Sequence, residues 1–146
     1  MTVYISISFS KRQELEPALA AIKAVLQEQG HEPFVFVDAY QFSPTEEQRM
    51  MQQAFADIDH CDLLLAETSE KGIGIGVEAG YAKGKNKPVI YLRSQRAEHS
   101  TTVAGLSDYQ VIYEDTRDLK QKLSEALEQL QKAITGNHPE QNQPVR

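Results

Sequence analysis

The stretch CDLLLAETSEKGIGIGVEAGY, residues 61–81, decides the fold. Leu63, Leu64, Leu65 and Ala66 form an apolar run ending at Glu67, with the length and flanks of a buried parallel strand. A polar turn follows, then glycines at every second position, Gly72, Gly74 and Gly76. Glu78 comes next, at the head of a small-residue segment, Ala79-Gly80-Tyr81-Ala82. Glycines let backbone approach a ligand closely, and a helix start just beyond them is where unpaired N–H groups collect. A carboxylate near the carboxyl end of a parallel strand sits where open α/β sheets bind ligands, so Glu78 is the first candidate for chemistry. The competing structural reading is stabilisation of a helix N-terminus by its charge, typically ~0.3–1 kcal/mol.

Upstream, Val3-Tyr4-Ile5-Ser6-Ile7-Ser8 alternates and is β-branched, which predicts a first strand. Leu15, Leu19, Ile22 and Leu26 then keep helical rhythm, with Pro17 placing the helix start near Leu15 or Glu16 and Gly30 closing it. The turn between them holds Ser8, Phe9, Ser10, Lys11 and Arg12, either a phosphate cradle or simple helix capping flanked by solvated basic residues. Residues 33–38 predict a second strand, and Ser43-Pro44-Thr45-Glu46 has the form of a capping box for the second helix. That helix carries Met51, Phe55 and Ile58 on one face, with Met50 and Met51 as core filling.

Downstream of the opening stretch, residues 87–92 and 109–113 predict strands four and five, joined by a polar loop over 93–107. Leu119, Leu123, Leu127 and Leu130 mark a final amphipathic helix, and a tail without apolar pattern begins at Gly136. Strands alternating with helices imply a single α/β domain over residues 1–135, a flavodoxin-like or Rossmann-like three-layer sandwich. With right-handed crossovers the expected strand order is 2-1-3-4-5, which points the Ser8–Arg12 turn and the Gly72–Glu78 turn into one crevice. A dinucleotide-binding reading of GIGIG fits poorly: the glycines follow the third strand, and Glu78 would repel a pyrophosphate.

With 146 residues, 40% hydrophobic and 25% charged, the chain has ordinary globular composition. Its net charge of −6 argues against nucleic acid or an anionic membrane as partner. The single cysteine, Cys61, excludes an internal disulfide and fits a reducing cytoplasm. No apolar run approaches the roughly 18 residues of a membrane span. His60 and Cys61 lack further ligands at zinc spacing, so no metal and no cofactor is expected.

Tyr4, Ser8, the run Cys61–Glu67 and above all Gly74-Ile75-Gly76-Val77-Glu78-Ala79-Gly80-Tyr81-Ala82 resemble the nucleoside 2-deoxyribosyltransferase family. The 2′-deoxynucleoside 5′-phosphate N-hydrolases are the more similar branch, and the resemblance runs to about Ile134. It implies a nucleoside or nucleotide substrate, a nucleophilic role for Glu78, and a positioning role for Tyr4. It also implies a phosphate-loop role for Ser8 and a homo-oligomer whose neighbouring subunit completes the site through Ser100, Thr101 or Thr102. Two positions depart from the family pattern. Ala54 stands eight residues before Asp62, where an Asp is usual, and Gly72 stands where the transferases carry Asp and the hydrolases Ser. Asp57, Asp59 and Glu70 are the acidic residues close enough in sequence to stand in.

The chemistry implied is cleavage of an N-glycosidic bond through an oxocarbenium-like transition state, stabilised or trapped covalently by Glu78. The substrate contacts would be Ser8, Phe9, Ser10, Lys11, Arg12, Gly72, Gly74, Gly76, Thr101 and Thr102. Water as acceptor gives a hydrolase, and a second base gives a transferase. A nucleotide-binding module of the same fold without turnover is the alternative.

Overall fold

The computed structural model describes residues 1–140, with backbone alone for 137–140. The described residues build a parallel sheet of five strands in the order β2-β1-β3-β4-β5. The strands are β1 (Thr2–Ser6), β2 (Glu32–Val35), β3 (Leu63–Glu67), β4 (Val89–Ser94) and β5 (Tyr109–Tyr113). The helices are α1 (Glu16–Glu28), α2 (Phe36–Ala39), α3 (Glu47–His60), α4 (Ile73–Gly84), α5 (Thr101–Leu106) and α6 (Thr116–Glu140). Fold class and strand order are those expected from the sequence.

Strand parity divides the core in two. Val3 and Ile5 of β1, with Leu63 and Leu65 of β3, face α1 and α6 through Leu19, Ile22, Leu26, Leu119, Leu123 and Leu127. Tyr4, Leu64 and Ala66 face the opposite way, toward α3, α4 and α5. The fully buried run of β3 follows from being covered on both faces. On the second side α4 meets the sheet through Ala79 and Ala82, both fully buried, and these short side chains let the helix approach closely.

Several boundaries differ from expectation. The second strand stops at Val35, and Phe36–Ala39 is a helical turn. The ladder pairs Ile5 with Val35, and β1 ends one residue beyond Ile5, so residues 36–38 have no strand to pair with. Phe36 instead stacks on Tyr4 and Phe42. The second long helix begins at Glu47 rather than at Pro44. Ser43–Glu46 closes as a separate turn, with Glu46 N donating to Ser43 O (3.0 Å) and Ser43 N to Glu46 Oε1 (3.1 Å), so only half of the capping box forms. The loop over 93–107 contains α5, capped by Ser100 Oγ accepting from Val103 N. Strand four runs two residues further than expected, to Ser94. The helical backbone of α6 extends through 136–140, the first part of the expected tail; residues 141–146 lie outside the described residues. No helix among the described residues is long and apolar enough to cross a membrane.

Candidate active site

The glycine motif is folded differently from the turn that the sequence suggests. Gly72 is the N-cap of α4 in extended conformation, while Gly74 and Gly76 lie inside the first helical turns. A Cβ at Gly74 or Gly76 would meet nothing within 4 Å among the described residues, so these glycines leave open space along the helix rather than relieve backbone strain. Glu78 consequently sits in the second turn, too far along for the N-terminal dipole reading to hold it.

Helix geometry explains what Glu78 does instead. Ile75, Ala79 and Ala82 are the buried stripe of α4, and Glu78 occupies the i+3 position of that stripe. A carboxylate therefore takes a slot where an apolar side chain would be expected. It is met there by β1: Ser6 Oγ donates to Glu78 Oε2 at 2.5 Å, and the Tyr4 hydroxyl lies beside the same carboxylate. Tyr4 and Ser6 are two residues apart on one strand, so the pleat aims both at α4. Burial pushes the Glu78 carboxyl above the usual range, and the two hydroxyls pull it back. Burial and the Glu78 charge push the Tyr4 phenol well above its ordinary value, which keeps it a proton donor. Its Oη makes no hydrogen bond of full geometry, to Glu78 or to any other described residue.

Tyr4 and Glu78 are thus brought together as expected. Ser6 is a site residue that sequence reading missed. Its signal is weak: a hydroxyl at Tyr4's parity, where Thr2 and Ser8 also stand.

The Ser8–Arg12 turn follows β1 and precedes α1. Ser8 is buried with Oγ 3.3 Å from Ser10 Oγ, whereas Phe9 is 77% exposed. Lys11 is exposed beside Glu14 (3.4 Å). Arg12 is held by Asp38 through Nε and Nη2, both at 2.7 Å, and pairs with Glu16 through Nη1. Its guanidinium holds the Asp38 carboxyl below the usual range. Arg12 thus ties the loop to α2 with its fork already filled.

Two clefts are lined by neighbours of the Tyr4–Glu78 pair, Ile75 and Gly76 in one and Phe36 in the other, and neither is lined by Glu78 or Tyr4. One, of about 690 Å³, lies between the start of α4 and α5 and includes Gly72, Gly76, Thr101 and Thr102. The other, of about 540 Å³, has aromatic walls from Phe9, Phe36, Tyr40 and Phe42. Phe36 also stacks on Tyr4, so this cleft adjoins the Tyr4–Glu78 pair. Among the described residues no group of three or more His, Cys, Asp or Glu side chains is arranged to hold a metal.

The family model of nucleoside 2-deoxyribosyltransferases matches residues 3–119. The chain belongs to that family of enzymes. Its chemistry is accordingly that of the nucleoside N-glycosidic bond, cleaved or exchanged between bases. A comparison with curated proteins finds no match. Among solved structures, the CMP N-glycosidase of Clostridium botulinum superposes with a TM-score of 0.60 at 23% identity, over 84% of this chain and 98% of that one. The 2-deoxyribosyltransferase of Bacillus psychrosaccharolyticus superposes with a TM-score of 0.61 at 16% identity, over 82% of this chain and 90% of that one. A conserved protein of Enterococcus faecalis reaches 0.64 at 14% identity, over 86% and 98%. At these identities the likeness is one of fold, and it spans almost the whole of each relative. In this nucleoside 2-deoxyribosyltransferase family member, the carboxylate in the α4 core stripe is the feature around which the rest is placed.

Proposed function

We propose that this family member cleaves the N-glycosidic bond of a nucleoside 5′-monophosphate, with Glu78 as nucleophile. The observation that carries the reading is the Glu78 carboxylate fixed in an apolar slot by Ser6 at 2.5 Å, with Tyr4 beside it. A Glu78 oxygen attacks C1′ while the C1′–N bond breaks. The base leaves with the bonding electron pair and takes up a proton. Water then attacks C1′, the ester bond to Glu78 breaks, and the free sugar phosphate departs. A second base in place of water would make the reaction a transfer.

The 5′-phosphate is assigned to the loop after β1. Arg12 is occupied by Asp38 and Glu16, so the contacts fall to the Ser8 and Ser10 hydroxyls, Lys11 and the backbone N–H groups of that turn. We further assign the chain to a homodimer in which the α5 segment around Thr101 and Thr102 borders a shared site. Ile73 and Val77, 90% and 43% exposed and one turn apart on α4, give that interface an apolar face.

The test is incubation with nucleosides and their 5′-monophosphates, following free base by chromatography. Release by the wild type that falls by more than ~10³-fold in Glu78→Gln and Glu78→Ala supports the mechanism. Absence of release, or equal release by the variants, overturns it. The second reading, a binding module without turnover, is favoured by Ala54, which is fully buried where a carboxylate is usual in the family. Calorimetric binding of a monophosphate without base release would select it.

A further inference from the structure

The turn after β1 is weakly held by its own bonds. Arg12 N donates to Phe9 O at 3.3 Å, Leu15 N donates to Lys11 O at 3.2 Å, and the Ser8 and Ser10 hydroxyls lie 3.3 Å apart. All three are at the long end of hydrogen bonding. The short bonds of this turn run across the fold instead, from the Arg12 guanidinium to Asp38. Nε donates to Oδ1 and Nη2 to Oδ2, both at 2.7 Å. A planar guanidinium and a carboxylate joined at two points fix orientation as well as distance. The two side chains are 20% and 35% exposed, so water only partly screens the pair. The pairing of Nη1 with Glu16 is local, four residues along the chain, and ties the turn to nothing distant.

Asp38 belongs to α2, and its near neighbour Phe36 stacks on the Tyr4 ring with centroids 6.1 Å apart. Tyr4 in turn lies beside Glu78. Phe9 of the turn and Phe36 and Asp38 of α2 line the same cleft of about 540 Å³. The Arg12–Asp38 fork therefore joins two walls of one cleft. One wall carries the groups assigned to the 5′-phosphate, and the other packs on the tyrosine beside the nucleophile.

A substrate gripped at its phosphate and attacked at C1′ needs those two walls at a fixed spacing. Asp38 is an anion and cannot itself favour a phosphate. By charge alone, its removal would free the Arg12 cation and strengthen phosphate binding. Loss of the loop's orientation acts with the opposite sign. Resting on the proposed function, we propose that Arg12 and Asp38 are positioning residues: their fork sets the phosphate loop against α2, so that the preference for a 5′-monophosphate over the free nucleoside depends on a carboxylate that does not contact the phosphate.

The experiment compares kcat/KM for base release from each nucleoside 5′-monophosphate with that from the free nucleoside. A ratio taken within one variant does not depend on how much of that variant is folded. The wild type favours the monophosphate, and in Asp38→Ala that ratio falls by about tenfold or more. Arg12→Ala lowers it to the same extent, and the double variant lowers it no further, because one bond is lost in all three. Arg12→Lys, which keeps the charge without the fork, restores little of the loss. A ratio that rises in Asp38→Ala makes Arg12 a phosphate ligand and overturns the proposal. An unchanged ratio in Asp38→Ala, or losses that add in the double variant, overturn it as well. If no base is released, the same ratios are read from calorimetric Kd values. A monophosphate preference that depends on Asp38 then supports this proposal while the cleavage reading fails, and one that ignores Asp38 overturns it. Base release with a preference that ignores Asp38 sinks the present inference alone, whereas the lack of any monophosphate preference removes the phosphate assignment and this inference together.

Discussion

Placing a carboxylate among Ile75, Ala79 and Ala82 disfavours its charged form, and the Ser6 hydroxyl recovers part of that loss. A nucleophilic Glu78 must be ionised, so base release should fall as pH drops through a range set above that of an ordinary glutamate. Ser6→Ala removes a hydrogen bond that favours the carboxylate. The acid limb of kcat/KM should therefore move to higher pH, and kcat on its plateau should fall ~10-fold, since hydrogen bonds to charged groups are worth ~1.5–3 kcal/mol. A pH–rate profile of Ser6→Ala superposing on the wild type would show that the contact does not serve the reaction. At this scale Glu78 was a candidate from its place beyond the third strand, whereas the role expected of Tyr4 came only from the family resemblance. Ser6 was no candidate, since a serine within an alternating strand looks like any solvent-facing position until the sheet's second covering layer is known. Arg12 shows the opposite case: its charge suggests phosphate, and only the fold reveals that Asp38 is near.

The elements show the same limits in a different form. Long periodic helices such as α1 and the apolar β3 could be read directly, because their patterns repeat over several turns or residues. The six-residue α5 carries too little periodicity to stand out from a polar loop, and the end of β2 depends on where β1 stops. One element boundary has its own chemistry. At the end of β3, fully buried Glu67 accepts from Ser69 N (2.6 Å) and from Tyr113 Oη (2.8 Å), while Ser69 Oγ accepts from Ser94 N (2.8 Å). These bonds join the ends of β3, β4 and β5 beneath the loops that lead to α4 and α5. Burial raises the Glu67 carboxyl, and the hydrogen bonds oppose it. The folded state therefore holds this proton more tightly than the unfolded chain does. The contribution to stability is complete below the unfolded value and is lost as pH rises through the folded one. Glu67→Gln should flatten the pH dependence of stability, seen as a smaller fall in Tm between mildly acidic and alkaline buffer. Tyr113→Phe, which removes a donor to the carboxylate, should lower stability by ~1–3 kcal/mol in urea denaturation at alkaline pH.

For the whole molecule, the alternation of elements implied a parallel sheet, and the strand order expected from it, 2-1-3-4-5, is the one observed. What lies outside the subunit was not legible from pattern. The proposed dimer rests on the exposed stripe of Ile73 and Val77, flattened by Gly76 and Gly80, whose added Cβ atoms would meet nothing within 4 Å among the described residues. Ile73→Lys combined with Val77→Lys should leave Tm within a few degrees of the wild type and convert a dimer to a monomer in sedimentation velocity. A wild type that sediments as a monomer at micromolar concentration would remove this assignment.

The position of β1 between β2 and β3 carries a kinetic implication. Its two ladders join residues about 30 and 60 positions apart in the chain, and the Ser6–Glu78 bond spans 72. None of these contacts forms locally, so the loop-closure entropy of the central sheet must be met before the nucleophile acquires its hydroxyl partner. A folding intermediate with only its helices and the parallel β4–β5 pairing in place, whose partners lie about 20 positions apart, would have Glu78 in water, with an ordinary carboxyl group. Recovery of catalysis on refolding thus reports closure of the sheet's centre, and the reaction itself becomes a clock for the last long-range step of folding.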